Sequence, residues 1–308
     1  MNSTDTITMS PLHELVAAPS FLLGFHPDQS CVVIGARQLG GGRKELLFCA
    51  RLDLNWHATC FDQVAEQLHN AALQAGRCEW ILVGFGRQED EVAPALEELA
   101  GVIGEENLLV SLVCDGSRFW PVGSLEDAEP YRFENSALAA RAVFEGVNIM
   151  SSRESIVAEV EAGVVSPRIW RRAVEQVARM PADLRLSELA RLMTEAPAEE
   201  APVDEKSACL LAALLQDDEC FVALLADLNT RCAPERFALL ARARRGCPEE
   251  AAPNVLAVLA LCCWLAGRSA QHTHCLEQLA ACRPDHPVLG LLLRLHRCAI
   301  PPRRWDEE

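Results

Sequence analysis

The sequence predicts an α/β N-terminal domain followed by an all-α C-terminal domain. Short β-branched runs alternate with helical periodicity up to about residue 150, and from about residue 152 onward only helical periodicity remains. We expect domains at residues 1–150 and 151–308, joined at residues 151–154, where two serines can cap the first helix. A chain of 308 residues is long enough for two such domains.

The N-terminal half predicts a mixed sheet built from a hairpin plus a βαβαβ unit. Strand candidates at residues 31–35 and 45–54 flank a run of three glycines, which is typical of a β-hairpin. Helical periodicity at 57–75 and 92–103 alternates with buried-type strands at 80–85 and 108–114. This alternation predicts parallel strands joined by right-handed crossovers.

This order predicts one edge of the sheet as the place for a site. The parallel strands end at the same edge, and the first hairpin strand begins there. Open α/β sheets bind ligands in crevices beyond these strand ends. The catalytic candidates at this edge are His26, Asp28, Asp53 and Asp115, and the ligand-binding candidates are Ser30, Arg51, Gly84, Gly86 and Arg118.

Each candidate has a functional and a structural interpretation. His26 could act as a general base oriented by Asp28, or both could hydrogen-bond to the backbone around a proline turn. Asp53 and Asp115 could pair across the strand at 80–85 to bind Mg²⁺ or to serve as acid and base. They could equally cap the segments that follow, and capping is the commoner role for aspartate at such positions.

Nucleotide-binding and serine-hydrolase motifs are incomplete. Gly84-Phe85-Gly86 lacks the third glycine of the dinucleotide fingerprint and the Lys-Ser/Thr of a P-loop. Ser30 or Ser117 could be a nucleophile, yet no G-x-S-x-G elbow occurs in the chain. The sequence therefore identifies no cofactor.

The C-terminal half predicts stacked helical hairpins. Expected helices begin at Ser166-Pro167, at Ser187 and at Ser207, and the acidic, proline-rich residues 194–206 are expected to be an exposed linker. Further helices are expected at residues 219–228 and 234–245. Residues 255–266 and 269–282 form a pair around Gly267 whose spacing is similar to a tetratricopeptide unit. We therefore expect a TPR-like or solenoid-like domain.

Cysteine spacing argues against a metal site. Nine of the 14 cysteines lie from Cys209 onward among several histidines, but no C-x₂₋₄-C pair occurs there. Cys275, Leu279 and Cys282 share one helix face, which is typical of small buried side chains. We expect reduced, packed cysteines and no native metal.

Charge limits the partners. The net charge of −16 arises mainly in residues 1–150, which hold 21 acidic and 9 basic residues, against 23 and 19 in the remainder. Such a chain is a poor partner for nucleic acid or anionic lipid. The basic clusters are Arg168, Arg171, Arg172 and Arg179, and then Arg242, Arg244 and Arg245. Either could meet an acidic partner, or could be a solvated helix face.

The N-terminus has no signal-peptide pattern, and the longest apolar run, at residues 255–267, is too short to span a membrane. These features predict a cytoplasmic protein.

Several segments resemble one family. The motifs are FLLGFHPDQSCVVIG at residues 21–35, ARLDL at 50–54, DGSRFWPV at 115–122, ALAARAVFEGVNIMSSRES at 137–155, and the stretch from WLAGRSA to IPPRRW at 264–305. Together they are similar to domain of unknown function 4192, found mainly in actinobacteria. The resemblance covers nearly the whole chain, departs most at residues 207–228, and implies no known activity.

Two function hypotheses follow. The first is a cytoplasmic binding or scaffold protein whose helical half binds protein partners and whose α/β half holds a small ligand or a peptide. Trp120, Arg153 and Trp305 are its interface candidates, and self-association stays open. The second is an enzyme, such as a metal-assisted hydrolase, at the sheet edge. The enzyme is the second hypothesis because the candidate residues do not form a complete catalytic set.

Overall fold

The computed structural model describes residues 6–8, 11–40, 43–76, 78–194 and 204–307. The expected glycine loop and acidic linker lie largely outside these residues. The chain divides into two compact units. The first comprises the residues up to Ser155 together with Arg297–Ile300, and the second comprises Ile156–His296 and the residues from Pro301.

The first unit is mixed α/β, as predicted. Its strands are β1 (Thr6–Thr8), β2 (Ser30–Gly40), β3 (Arg43–Asp53), β4 (Glu79–Phe85), β5 (Leu108–Cys114), β6 (Arg118–Pro121) and β7 (Glu129–Pro130). Its helices are α1 (Leu12–Leu23), α2 (Trp56–Thr59), α3 (Phe61–Ala75), α4 (Glu89–Ile103) and α5 (Ala137–Glu145), followed by α6 (Arg153–Val157) at the junction.

The strands form one mixed sheet in the order β1-β3-β2-β4-β5-β6-β7. The predicted hairpin is β2–β3, with Ser30 opposite Asp53. β2 also pairs antiparallel with β4, so it lies between two strands that run in the same direction. Among the described strands, only β4 and β5 are directly adjacent and parallel. The expected strand directions are therefore present. However, β2 separates β3 from β4, the two parallel strands that the first crossover connects.

Helices cover both faces of the sheet. On one face, α1 and α5 pack over alternate residues such as Val32 and Ile34. On the other face, α3 and α4 pack over Cys31, Val33 and Leu82. The central strands are apolar on both faces because both are covered.

Helices α1 and α5 and strands β6 and β7 were not predicted from the sequence. Helix α1 is apolar nearly all round, and Val16, Ala17 and Ala18 are completely buried. A helix without a polar face lacks the amphipathic signal used to recognise one.

The second unit is helical in the part of the chain that the structure describes. Its helices are α7 (Pro167–Arg179), α8 (Ala182–Thr194), α9 (Glu205–Leu214), α10 (Asp218–Asp227), α11 (Ala233–Gly246), α12 (Ala252–Leu265), α13 (Ser269–Cys282) and α14 (Leu289–Arg297). The start of α7 and both ends of α13 match the sequence prediction. Gly267 turns between α12 and α13 with a φ of 72°, a conformation that favours glycine.

Two predicted helix caps were wrong. Ser187 lies inside α8, where its hydroxyl donates to the Asp183 carbonyl. Asp204, and not Ser207, caps α9 by accepting from the Ser207 backbone N–H. Both serines follow an acidic residue close to the true helix start, and aspartate is at least as good a cap as serine.

Most cysteines of this unit pack in its core. Cys262, Cys263 and Cys275 are fully buried, and burial raises the pKa of the Cys262 thiol to about 12. Cys282 is an exception to the expected buried face, because it is exposed at the end of α13. Where buried, these thiols behave as small apolar side chains.

Candidate functional site

The sheet edge brings the strand ends together as the sequence predicted. Ser30, at the start of β2, lies opposite Asp53 on one side and Phe85 on the other. Phe85 in turn pairs with Cys114, the residue before Asp115. Ser30, Asp53, Phe85 and Asp115 therefore lie along one edge of the sheet.

The expected carboxylate pair is not formed. Asp53 is the last residue of β3 and Asp115 follows β5, and two strands, β2 and β4, lie between them. At about 4.8 Å between neighbouring strands, the two residues are roughly 14 Å apart in the sheet. One metal ion cannot bridge them, because Mg²⁺–oxygen bonds are about 2 Å long. β2 lies between β3 and β4, and this extra strand is why Asp53 and Asp115 are too far apart to pair.

His26 and Asp28 are engaged locally. The His26 Nδ1 lies 3.2 Å from the Ser20 Oγ, and the ring packs edge-on against Phe133. The Asp28 carboxylate accepts from the backbone N–H of Gln29, a residue with a φ of 43°. These contacts stabilise the loop that precedes β2. They agree with the structural alternative, in which both residues form local hydrogen bonds around the proline turn.

Asp115 organises the loop between β5 and β6. Its Oδ1 accepts from the backbone N–H groups of Ser117 and Arg118 at 2.8 and 2.7 Å, and from the Ser117 hydroxyl at 2.8 Å. The Arg118 guanidinium donates to Oδ2 at 3.1 Å. Burial would raise the pKa of Asp115, but these hydrogen bonds together lower it.

We expect Asp115→Ala to lower the free energy of unfolding by about 2 kcal/mol, since several charge-assisted hydrogen bonds are lost. Asp115→Asn keeps an acceptor oxygen and should cost less. Urea unfolding of both variants at pH 7 measures the difference. Equal stability of the Ala variant and the wild type would contradict a structural role.

Arg51 bridges the loop and the hairpin. It donates to Asp53 at 2.7 Å and to the Asp28 carbonyl at 3.4 Å, while its Nε has no hydrogen-bond partner among the described residues. The Ser30 hydroxyl is completely buried and likewise unpaired in that part of the chain. The register places Ser30, Arg51 and Asp53 on the same face of the sheet. This cluster can donate hydrogen bonds, but no side chain of the described residues accepts one from the serine hydroxyl.

The glycines of β4 make room for a helix. A Cβ on Gly84 would lie 2.0 Å from the Val92 Cγ1, and one on Gly86 would lie 2.5 Å from the Val92 Cγ2. Helix α4 therefore occupies the space beside these residues. Gly84 and Gly86 were ligand-binding candidates. The packing of α4 against them is another reason for the absence of a side chain at both positions.

The interface candidates have contacts of their own. Trp120 is 1% exposed, and its indole donates to Glu89 at 2.8 Å. Trp305 is half-buried, packs edge-on against Trp264 and donates to the Leu228 carbonyl. Arg153 begins α6, where the Ser152 hydroxyl accepts from the Ser155 backbone N–H. The two tryptophans thus hold segments of their own units in place.

A surface groove lies between α7 and α8. It has a volume of about 540 Å³ and is lined by Arg172, Glu175, Gln176, Arg179, Met180, Pro181 and Leu184. The two helices pack against α9. Sequence analysis identified the arginines as a basic cluster, but it missed the apolar wall. Leu184, which belongs to this wall, is 53% exposed.

The described residues contain neither a cluster of metal-ligating side chains nor a helix that could cross a membrane. There, His, Cys, Asp and Glu side chains form no group of three or more that could hold a metal ion. Over the same ranges, no helix has both the length and the apolar character needed to cross a membrane.

The comparisons with known proteins identify a family. Neither the curated proteins nor the solved structures gave a match. A family model described as domain of unknown function (DUF4192) matches residues 13–303, nearly the entire chain. The chain therefore belongs to the DUF4192 family.

Proposed function

We propose that this protein binds an acidic, partly apolar segment of another protein in the groove between α7 and α8. One observation carries the proposal: Arg172 lines this groove, and no described residue forms an ion pair or a hydrogen bond with its guanidinium. On a chain with a net charge of −16, an unpaired cation beside an apolar wall favours a partner that carries negative charge.

The charges of the groove favour an acidic partner. Arg168 and Arg171 extend the basic face of α7 and are also exposed. Among the described residues, Arg179 pairs only with Glu175, at 3.5 Å, and its side chain is 80% exposed. Such guanidinium groups bind carboxylates by paired hydrogen bonds.

The apolar wall favours a protein over a free anion or nucleic acid. Leu184, Met180 and Pro181 contribute side chains without charge, and Val174 is exposed on the same helix as the arginines. Interfaces between proteins combine arginine with apolar anchors of this kind. The acidity of the rest of the chain would repel nucleic acid.

The helical half also has features of a solenoid-like stack, which we include in the proposal. α7 packs on α9, α9 on α11, α11 on α12, and α12 on α13. This series of neighbour contacts supports a stack of helices, and such a stack can present an extended binding surface. A cytoplasmic location stays a prediction.

The enzyme alternative has weaker support. His26, Asp28, Asp53 and Asp115 each have a local partner, and the aspartates that were expected to pair have two strands between them. A catalytic set needs its groups within reach of one reacting atom.

Peptide binding tests the proposal. We expect a fluorescein-labelled helical peptide with glutamates and leucines on one face to bind the full chain, and its lysine-for-glutamate counterpart not to bind. The R172E/R179E variant should bind the acidic peptide at least tenfold more weakly, because two charge-assisted contacts become repulsive. Fluorescence anisotropy gives the affinities.

A matched control reverses two other arginines. Arg231 and Arg303 are exposed in the same unit and outside the groove, so R231E/R303E makes the same change in net charge. It should bind the acidic peptide as the wild type does. Equal weakening by both variants would show a general effect of charge, and preferential binding of an RNA oligonucleotide or of anionic vesicles would also overturn the proposal.

A further inference from the structure

The charged side chains of the groove follow a pattern along α7. Arg172, Glu175 and Arg179 all line it. They are separated by three and four residues, so they lie on one face of the helix over two turns. The distance from Arg172 to Arg179 along the axis is about 10.5 Å, at 1.5 Å per residue. The groove therefore presents a positive, a negative and a positive charge in order.

The position of the groove favours a helical partner. α7 and α8 both pack against α9, and the groove lies between them near their connection. A helix laid along α7 has the same rise per residue, so its side chains can meet those of α7 turn by turn. Helical segments commonly bind in grooves with anchors at such spacings.

We infer that the partner segment is an amphipathic helix, antiparallel to α7, with acidic residues at positions i and i+7 and a basic residue at i+4. The acidic residues face Arg179 and Arg172, and the basic residue faces Glu175. The antiparallel direction is favoured by the opposed helix dipoles. An adjacent apolar residue contacts Leu184. This inference rests on the proposed function and specifies its partner.

Three labelled peptides of identical length and helicity test the pattern. The matched peptide carries Glu, Lys and Glu at i, i+4 and i+7. The second has the lysine exchanged with the first glutamate, and the third carries glutamate at all three positions. We expect the wild-type chain to bind the matched peptide about fivefold more tightly than either of the others, because exposed ion pairs each contribute little.

Charge reversal on the protein makes the test specific. Glu175 is 54% exposed in its side chain, so Glu175→Lys should leave the fold intact. This variant should prefer the peptide with three glutamates over the matched one, reversing the order seen with the wild type. Thermal unfolding of the variant checks that it remains folded.

The outcomes separate the two proposals. If no acidic peptide binds the wild type, the proposed function and this inference both fail. If acidic peptides bind equally well in every arrangement, or if Glu175→Lys does not change their order, only the helical pattern is overturned. A peptide with its lysine at i+3 matches a parallel helix, and its tighter binding would overturn the antiparallel direction.

Discussion

Gly84→Ala is expected to lower the free energy of unfolding by about 3 kcal/mol, the upper end of what overpacking a core usually costs. The new Cβ would lie 2.0 Å from the Val92 Cγ1 and 3.0 Å from the Leu96 Cδ1. Valine is stiff about χ1, so it cannot move aside as a long flexible side chain can. The helix or the strand must shift instead.

A double-mutant cycle tests the cause of this loss. In the G84A/V92A variant, the removed methyl groups make space for the new Cβ. The double variant should therefore lose less unfolding free energy than the sum of the losses of the two single variants. Leu99 is completely buried in the same helix but is not among the atoms nearest to Gly84. G84A/L99A should therefore be additive. Urea unfolding measures all the variants, and additivity in both cycles would contradict close helix packing at Gly84.

The second large effect is expected in acid. His272 is 2% exposed, and burial lowers its pKa to about 4, although the hydrogen bond of Nδ1 to the Ala260 carbonyl opposes this shift. The ring of His296 lies 5.7 Å away and lowers the pKa further.

The sign of the effect follows from proton binding. An unfolded histidine has a pKa near 6.5, so between pH 6.5 and 4 the unfolded chain binds a proton that the folded chain does not. Stability therefore falls as the pH decreases through this window. The shift corresponds to about 3 kcal/mol at the acid end. Burial also lowers the pKa of His286, which adds to the loss.

Histidine substitutions measure the contribution of this ring. His272→Asn retains a donor near the Nδ1 position but does not titrate, so its unfolding free energy should depend less on pH between 4 and 6.5. His69→Asn, at an exposed position of α3, should keep the wild-type dependence. Urea unfolding at several pH values gives the slopes. The same slope for His272→Asn and the wild type would contradict the lowered pKa.

The sequence identified the elements whose periodicity is strong. Helix α13 was predicted with its observed ends, and β4 and β5 were predicted to within one residue because each is a short apolar run bounded by polar or glycine residues. It did not identify α1, because a helix buried nearly all round has no polar face to mark its period. Helix caps were less certain, since several polar residues near α8 and α9 could serve.

The site was only partly predictable. Strand directions were enough to place Ser30, Asp53 and Asp115 at one edge, because parallel strands end together. Strand order was needed to separate Asp53 from Asp115. Similarly, the spacing of Arg172 and Arg179 indicated a basic helix face, but the apolar wall with Leu184 required the positions of two helices.

By itself, the sequence determined the change from α/β to helical structure, the acidic N-terminal half and the family resemblance, because local periodicity and charge are properties of the chain. The tertiary structure decided that β2 lies between β3 and β4 and that Gly84 makes room for Val92. It also decided that Arg172 lies in a groove free of described partners. The strand order depends on contacts between residues distant in sequence, and the other two features depend on how neighbouring elements pack; local patterns encode neither.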